Sequence, residues 1–359
     1  MKKMRVAVDA RMLKMSGIGV YISHLMENNL YDIALGNEED LKKEKVKEII
    51  PFNSDIYGIK EQLKFPYRKL KKLKPDILHV PHYNVPIFYR GKMVVTIHDL
   101  THLVLPEFLP NKFAKIYAKV MMAIAIKKAS KILTVSQNTK KDLIKYFKVN
   151  PDKIEVIYIG AGEEFKEEKE EEYSYLYKKY NINKKDKILM YVGNLKPHKN
   201  LEKLLEAFSL LDNKEKYKLL LVGKAFSNYS NIIKREEELK IKDYIIHTGV
   251  VDQKELVDLY NLTDLFIFPS LYEGFGLPVI EALACATPVI ASNVSSIPEV
   301  GGKEIGYFDP RNEKEIKKQI EKYTNKKITK EEKEKYINRA KFFDWKKTAS
   351  KTKKIIDSL

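Results

Sequence analysis

Two carboxylates eight positions apart, Glu273 and Glu281, bracket the run Gly274-Phe275-Gly276-Leu277-Pro278-Val279-Ile280. Glycines on both sides of Phe275 turn the chain, and Pro278 suits a helix start because its missing N–H has no helical partner to lose there. Such a junction keeps Glu273 in the loop and puts Glu281 in the first helical turn, beside backbone N–H groups that no helix bond uses. One carboxylate can then accept two ribose hydroxyls while the loop amides hold a sugar. The plain alternative is that Glu281 balances the helix N-terminus and the glycines only turn the chain.

Two other junctions bring glycines or cations to a loop: Gly17-Ile18-Gly19, and Gly193-Asn194-Leu195-Lys196-Pro197-His198-Lys199-Asn200. The second has the spacing of a P-loop, but His198 replaces its second glycine and Asn200 the Ser or Thr that holds magnesium, which disfavours a nucleotide triphosphatase. Neither Gly17-Ile18-Gly19 nor Gly274-Phe275-Gly276 completes Gly-x-Gly-x-x-Gly, so a nicotinamide oxidoreductase is disfavoured too.

The elements that must position these residues read as α/β. Short β-branched or leucine-rich runs at 5–9, 77–80, 94–98, 132–136 and 154–159 alternate with amphipathic segments at 112–128 and 138–147. That alternation predicts βαβ units. A charged linker follows at 160–172, and a second alternation has strands at 188–192, 218–222, 245–247, 265–268 and 288–291, with helices near 201–211, 253–261 and 278–284. Continuous apolar runs suit parallel strands buried on both faces. A length of 359 residues suits two domains. We expect them at 1–164 and 165–342, with a C-terminal helix at 343–359 packing back on the first and Trp345 pinning it. Ligands in open α/β sheets bind beyond the carboxyl ends of the strands, where all three junctions fall.

The stretch Glu273 to Glu281 resembles the Glu-x7-Glu signature of the retaining glycosyltransferases of family 4. The resemblance extends, in family order, through Asp9-Ala10-Arg11, Thr96-Ile97-His98-Asp99, Thr134-Val135-Ser136, the loop from Tyr191 to Asn200, Ala284 to Ala291, and Ser296-Ile297-Pro298-Glu299-Val300. It implies the GT-B fold, two Rossmann-like domains facing across a cleft. It also implies retaining transfer of a hexose from a nucleotide diphosphate sugar, with no separate cofactor. On the family pattern Glu281 binds the donor ribose, while Glu273 and the amides of Phe275, Gly276 and Leu277 contact the hexose. Lys199 binds the diphosphate, Gly17 and Gly19 let backbone amides approach the phosphates, and His98 lies near the sugar. Asn194 stands where many relatives have Arg, which removes one positive charge from the leaving group's surroundings. The base is expected near Val251 and residues 223–224. GDP-mannose is the first expectation for the donor and a UDP-hexose the second; the acceptor is a saccharide, a lipid-linked saccharide or a small hydroxyl compound. The chain contains no Asp-x-Asp, the pair that holds a divalent metal in the other major transferase fold, so a metal-independent reaction with Lys199 as the fixed cation is expected.

Composition narrows the setting. Cys285 is the only cysteine, which excludes an intrachain disulfide and a thiolate zinc site. The N-terminus lacks the apolar segment of a signal peptide, so a cytoplasmic location, or one at the inner face of the cell membrane, is expected. The net charge is +17, and residues 1–165 hold 29 Lys and Arg against 18 Asp and Glu. Basic segments at 60–74 and 112–131 have apolar faces that suit peripheral contact with an anionic membrane, or equally helices packed on their own sheet. Rival readings are a nucleotide-sugar epimerase of the same fold and, in a different class, a basic nucleic-acid-binding protein. The latter rests on charge alone, with no groove-reading motif, so nucleic acid is not an expected partner.

Overall fold

The computed structural model describes residues 4–54, 56, 58–109, 111–224 and 229–359. The chain divides into two compact units, residues 1–159 with 344–359, and residues 160–343.

The first unit is built on a parallel sheet of β1 (Val6–Asp9), β2 (Ile33–Gly36), β3 (Glu48–Pro51), β4 (Ile77–Val80), β5 (Met93–Ile97), β6 (Lys131–Thr134) and β7 (Ile154–Val156). The strand order is β3-β2-β1-β4-β5-β6-β7, so the winding reverses between β1 and β4 and opens a crevice there. Strands β1, β2, β4 and β5 are buried throughout, which explains their largely apolar runs, with Asp9, His79 and Thr96 buried among them. The helix Lys112–Lys128 covers one face through Ala118, Met121, Met122 and Ala125, and Asn111 caps it by accepting from the Ala114 amide. The last helix, Trp345–Asp357, is capped by Asp344 and stacks Trp345 on His24 at 4.5 Å between ring centroids.

The second unit carries β8 (Lys187–Val192), β9 (Tyr217–Val222), β10 (Ile245–Gly249), β11 (Leu265–Phe268), β12 (Val289–Ser292) and β13 (Gly306–Phe308), again all parallel. Their order is β10-β9-β8-β11-β12-β13, with the reversal between β8 and β11. Leu189, Tyr191, Leu219, Leu221, Leu265 and Ile267 form a core with Leu204, Leu205 and Phe208 of the helix Leu201–Ser209.

Three strands were not expected from the sequence. β2 ends in a glycine, β13 is only three residues long, and β3 ends in Pro51 at the sheet edge, where a missing donor costs no ladder bond. One expectation is corrected. The helix expected to open at Pro278 begins at Leu277, with Pro278 second, so Glu281 lies in its second turn, and the first turn holds no acidic residue.

Candidate functional site

In the second unit the two loops leaving the switch-point strands converge. After β8 the chain turns at Gly193, forms a 3-10 turn at Pro197–Lys199, and enters the next helix through Asn200, whose φ of 62° is left-handed. Asn200 holds the loop in place, since its Nδ2 donates to the carbonyls of Pro269 (3.0 Å) and Pro310 (2.7 Å), beyond β11 and β13. The Leu271 amide bonds the His198 carbonyl at 2.8 Å. These bonds bring Lys199 against Glu273, Nζ to Oε1 2.6 Å, with both side chains largely buried. The ammonium also lies 5.7 Å from the Phe268 ring centroid.

The loop that carries Glu273 is clamped from the turn after β12. Ser295 Oγ accepts from the Glu273 amide at 3.0 Å, and Ser296 Oγ donates to the carbonyls of Glu273 and Phe275 at 2.9 and 2.8 Å. Gly276, at φ 117°, caps the helix Leu277–Ala284, a conformation costly for any residue with a side chain. The amides opening this helix have no acceptor within it, and its dipole favours negative charge at the same end. A cation, a carboxylate and a helix N-terminus thus share the carboxyl edge of the sheet at its reversal, where an anionic, polyhydroxylated ligand can be held.

Glu281 is set back along the helix. Tyr260 donates to its Oε2 at 2.9 Å. Burial pushes the carboxyl up to about 7, against the lowering effect of that Tyr260 bond, and Glu164 adds a smaller push upward. On the other side of β8 the strand ends are drawn tightly together. The Gly193 amide bonds Val222 O and the Gly223 amide bonds Gly249 O, both at 2.9 Å. A Cβ on Gly223, whose φ is 139°, would collide with the Gly193 carbonyl. Val251, half-buried, follows this cluster on the loop before the helix Gln253–Leu262. Asn194 gives its carbonyl to Tyr191 Oη at 2.9 Å, while its Oδ1 is buried without a partner among the described residues.

The remaining candidates lie in the first unit. His98 follows β5; burial lowers its pKa to about 4, Asp99 and a bond to the Pro81 carbonyl oppose the fall, and Nε2 is buried without a partner among the described residues. A neutral imidazole of this kind can accept from a hydroxyl. Gly17 is exposed in the first turn of the helix Ser16–Glu27, whereas the Gly19 amide is already bonded to Met15 O at 2.8 Å. Gly19 is glycine for a packing reason: a Cβ there would collide with the Leu13 carbonyl. At the β1/β4 reversal Arg11 is buried between Asp9 (2.7 Å) and Glu61 (2.6 Å), and Tyr117 Oη donates to Asn84 Oδ1 at 2.7 Å. Tyr260 and Ser295 carry no sequence signal and Asn200 is visible there only as the end of its loop, because their contacts join residues 21 to 110 positions apart.

Two family models match this chain: Glycosyl transferases group 1 over residues 174–342 and Glycosyltransferase Family 4 over residues 31–164. The chain belongs to the group 1 glycosyl transferases. Its two parallel sheets are the GT-B fold of that family. The serotype-specific mannosyltransferase WbdA of Escherichia coli is 32% identical over 280 residues, covering 75% of this chain and 33% of WbdA. The O-antigen chain mannosyltransferase B of Escherichia coli is 30% identical over 243 residues, covering 67% of this chain and 63% of that relative. The chain therefore spans about a third of WbdA and less than two thirds of the other. Among solved structures, Anabaena Alr3699/HepE in complex with UDP and glucose aligns with a TM-score of 0.82 at 17% identity, covering 99% of this chain and 100% of that one. A glycosyltransferase from Rickettsia africae aligns at 0.76 and 23%, covering 99% and 98%.

Proposed function

We propose that this group 1 glycosyl transferase moves a hexose, mannose in the first instance, from a nucleotide diphosphate donor to a hydroxyl of a saccharide or lipid-linked acceptor, with retention and without a metal. The observation that carries the reading is the Lys199–Glu273 pair at the helix N-terminus beyond β8 and β11. Mannosyltransferases among the relatives support GDP-mannose as the donor.

Lys199 has three N–H donors, so it can keep Glu273 while bonding a diphosphate oxygen. Glu281, steadied by Tyr260, accepts the ribose hydroxyls, and the amides of Gly276 and Leu277 meet the hexose beside Glu273. As the bond from the anomeric carbon to the phosphate oxygen breaks, charge grows on the diphosphate, and Lys199 and the helix dipole stabilise it. The acceptor oxygen attacks from the same face and passes its proton to the departing phosphate oxygen, which needs no protein base.

The test is a thermal-shift screen with GDP, UDP, ADP and their hexose conjugates, each with and without EDTA. A ligand at about 100 times its Kd stabilises by about 2.7 kcal/mol. The reading expects GDP and GDP-mannose to shift the melting temperature with EDTA present. A shift with UDP conjugates alone overturns the donor, and one that EDTA abolishes overturns metal independence.

A further inference from the structure

We propose that the outward face of the helix Lys112–Lys128 docks on an anionic phospholipid surface. This helix is apolar on two sides. Ala118, Met121, Met122 and Ala125 are buried in the core of the first unit, yet Phe113, Ile116 and Val120 are 81%, 58% and 51% exposed. Spacings of three and four put those three residues in one stripe, which Ala123 continues. The core accounts for the inner face only, and an outward row of large apolar side chains marks a contact surface.

Charge selects the partner. Lys112, Lys115 and Lys119 stand exposed along one border of the stripe, Lys127 lies at its far end, and the helix contains no Asp or Glu. Two copies of this face would bring lysines against lysines, whereas an anionic headgroup layer takes the lysines while the acyl boundary takes Phe113, Ile116 and Val120. Seventeen residues carrying five lysines suit a helix lying in the interface rather than one crossing it, and no helix among the described residues is long and apolar enough to cross a membrane.

The helix is fixed to its unit, so the face is presented as a rigid edge. Tyr117 Oη bonds Asn84, and Lys128 Nζ donates to Tyr89 O at 2.7 Å. Exposed Phe88 adjoins Tyr89 in the chain, and exposed Leu63 and Lys64 lie on the short helix Ile59–Lys64, whose Glu61 meets Tyr117. The segment 60–74 also holds exposed Arg68, Lys69, Lys71 and Lys72; the side chain of Lys60 lies outside the described residues. The proposal stands whichever sugar is transferred.

Full-length protein is floated with vesicles of phosphatidylcholine alone and of phosphatidylcholine with phosphatidylglycerol, at low and high salt. Trp345, the sole tryptophan, is buried. In Phe113→Trp a second indole therefore reports insertion by a blue shift and by quenching with brominated lipid. Co-flotation with the anionic vesicles alone is expected, weakened by salt, with quenching at position 113. Each of Lys112→Gln, Lys115→Gln and Lys119→Gln should lower partitioning roughly fivefold, and Phe113→Ser with Ile116→Ser should abolish flotation while GDP affinity is unchanged. Equal flotation by wild type and these variants, no flotation at all, or a concentration-dependent dimer that Phe113→Ser dissociates would overturn the proposal.

Discussion

At the residue scale, Glu281 has a conflict between stability and binding. Its carboxyl titrates near 7 in the folded chain because it is buried, against about 4.3 for a free glutamate. Between those values the folded state holds a proton that the unfolded state has released, so stability falls as pH rises through the window. Glu281→Gln should therefore stabilise the fold more at pH 8 than at pH 4.5, by roughly 4 kcal/mol at most, as thermal unfolding at the two pH values will read. The same substitution should weaken nucleotide binding, since an amide cannot accept two ribose hydroxyls as the carboxylate does. Tyr260→Phe removes the bond that lowers this pKa. The pH at which nucleotide affinity rises should then move upward, a profile that calorimetry across pH 6 to 9 resolves. Lys199→Ala should reduce kcat about 10² to 10³-fold, the loss expected for one transition-state contact.

At the element scale, the site depends on loops tied across the sheet. Asn200 satisfies the carbonyls of Pro269 and Pro310, just beyond β11 and β13 on the far side of the reversal from β8, while adopting a left-handed φ that Asn tolerates. Asn200→Asp keeps the conformation but sets an acceptor against two acceptors, and should cost about 2 to 3 kcal/mol in urea unfolding. The helix Lys112–Lys128 and the strands Ile77–Val80 and Leu265–Phe268 match their expected bounds, the helix through its sustained apolar period and the strands because large apolar residues stand between Asp76 and Pro81 and between Asp264 and Pro269. The strands Ile33–Gly36 and Glu48–Pro51 are as short, but Gly36, Glu48 and Pro51 weaken their strand signal, and Gly306–Phe308 has only three residues, so tertiary pairing makes all three. The same limit applies to the site. Glu273, Glu281, Lys199 and the glycines stand out locally, whereas the positions of Tyr260, Ser295 and Asn200 depend on contacts that no local window contains. Glu281 falls in the second turn rather than the first because Leu277, not Pro278, opens the helix.

At the scale of the whole molecule, the chain repeats one solution twice, a parallel sheet whose winding reverses at a crevice. The two crevices differ in chemistry. That of the second unit presents Lys199, Glu273 and a helix N-terminus, while that of the first encloses Arg11 between Asp9 and Glu61. The donor nucleotide is proposed to bind in the second. Calorimetric titration of GDP into wild type, Lys199→Ala and Glu281→Gln tests this assignment most directly. Wild type should bind tightly, and each variant should show at least a tenfold weaker Kd, about 1.4 kcal/mol. GDP affinities equal across all three folded proteins would contradict it.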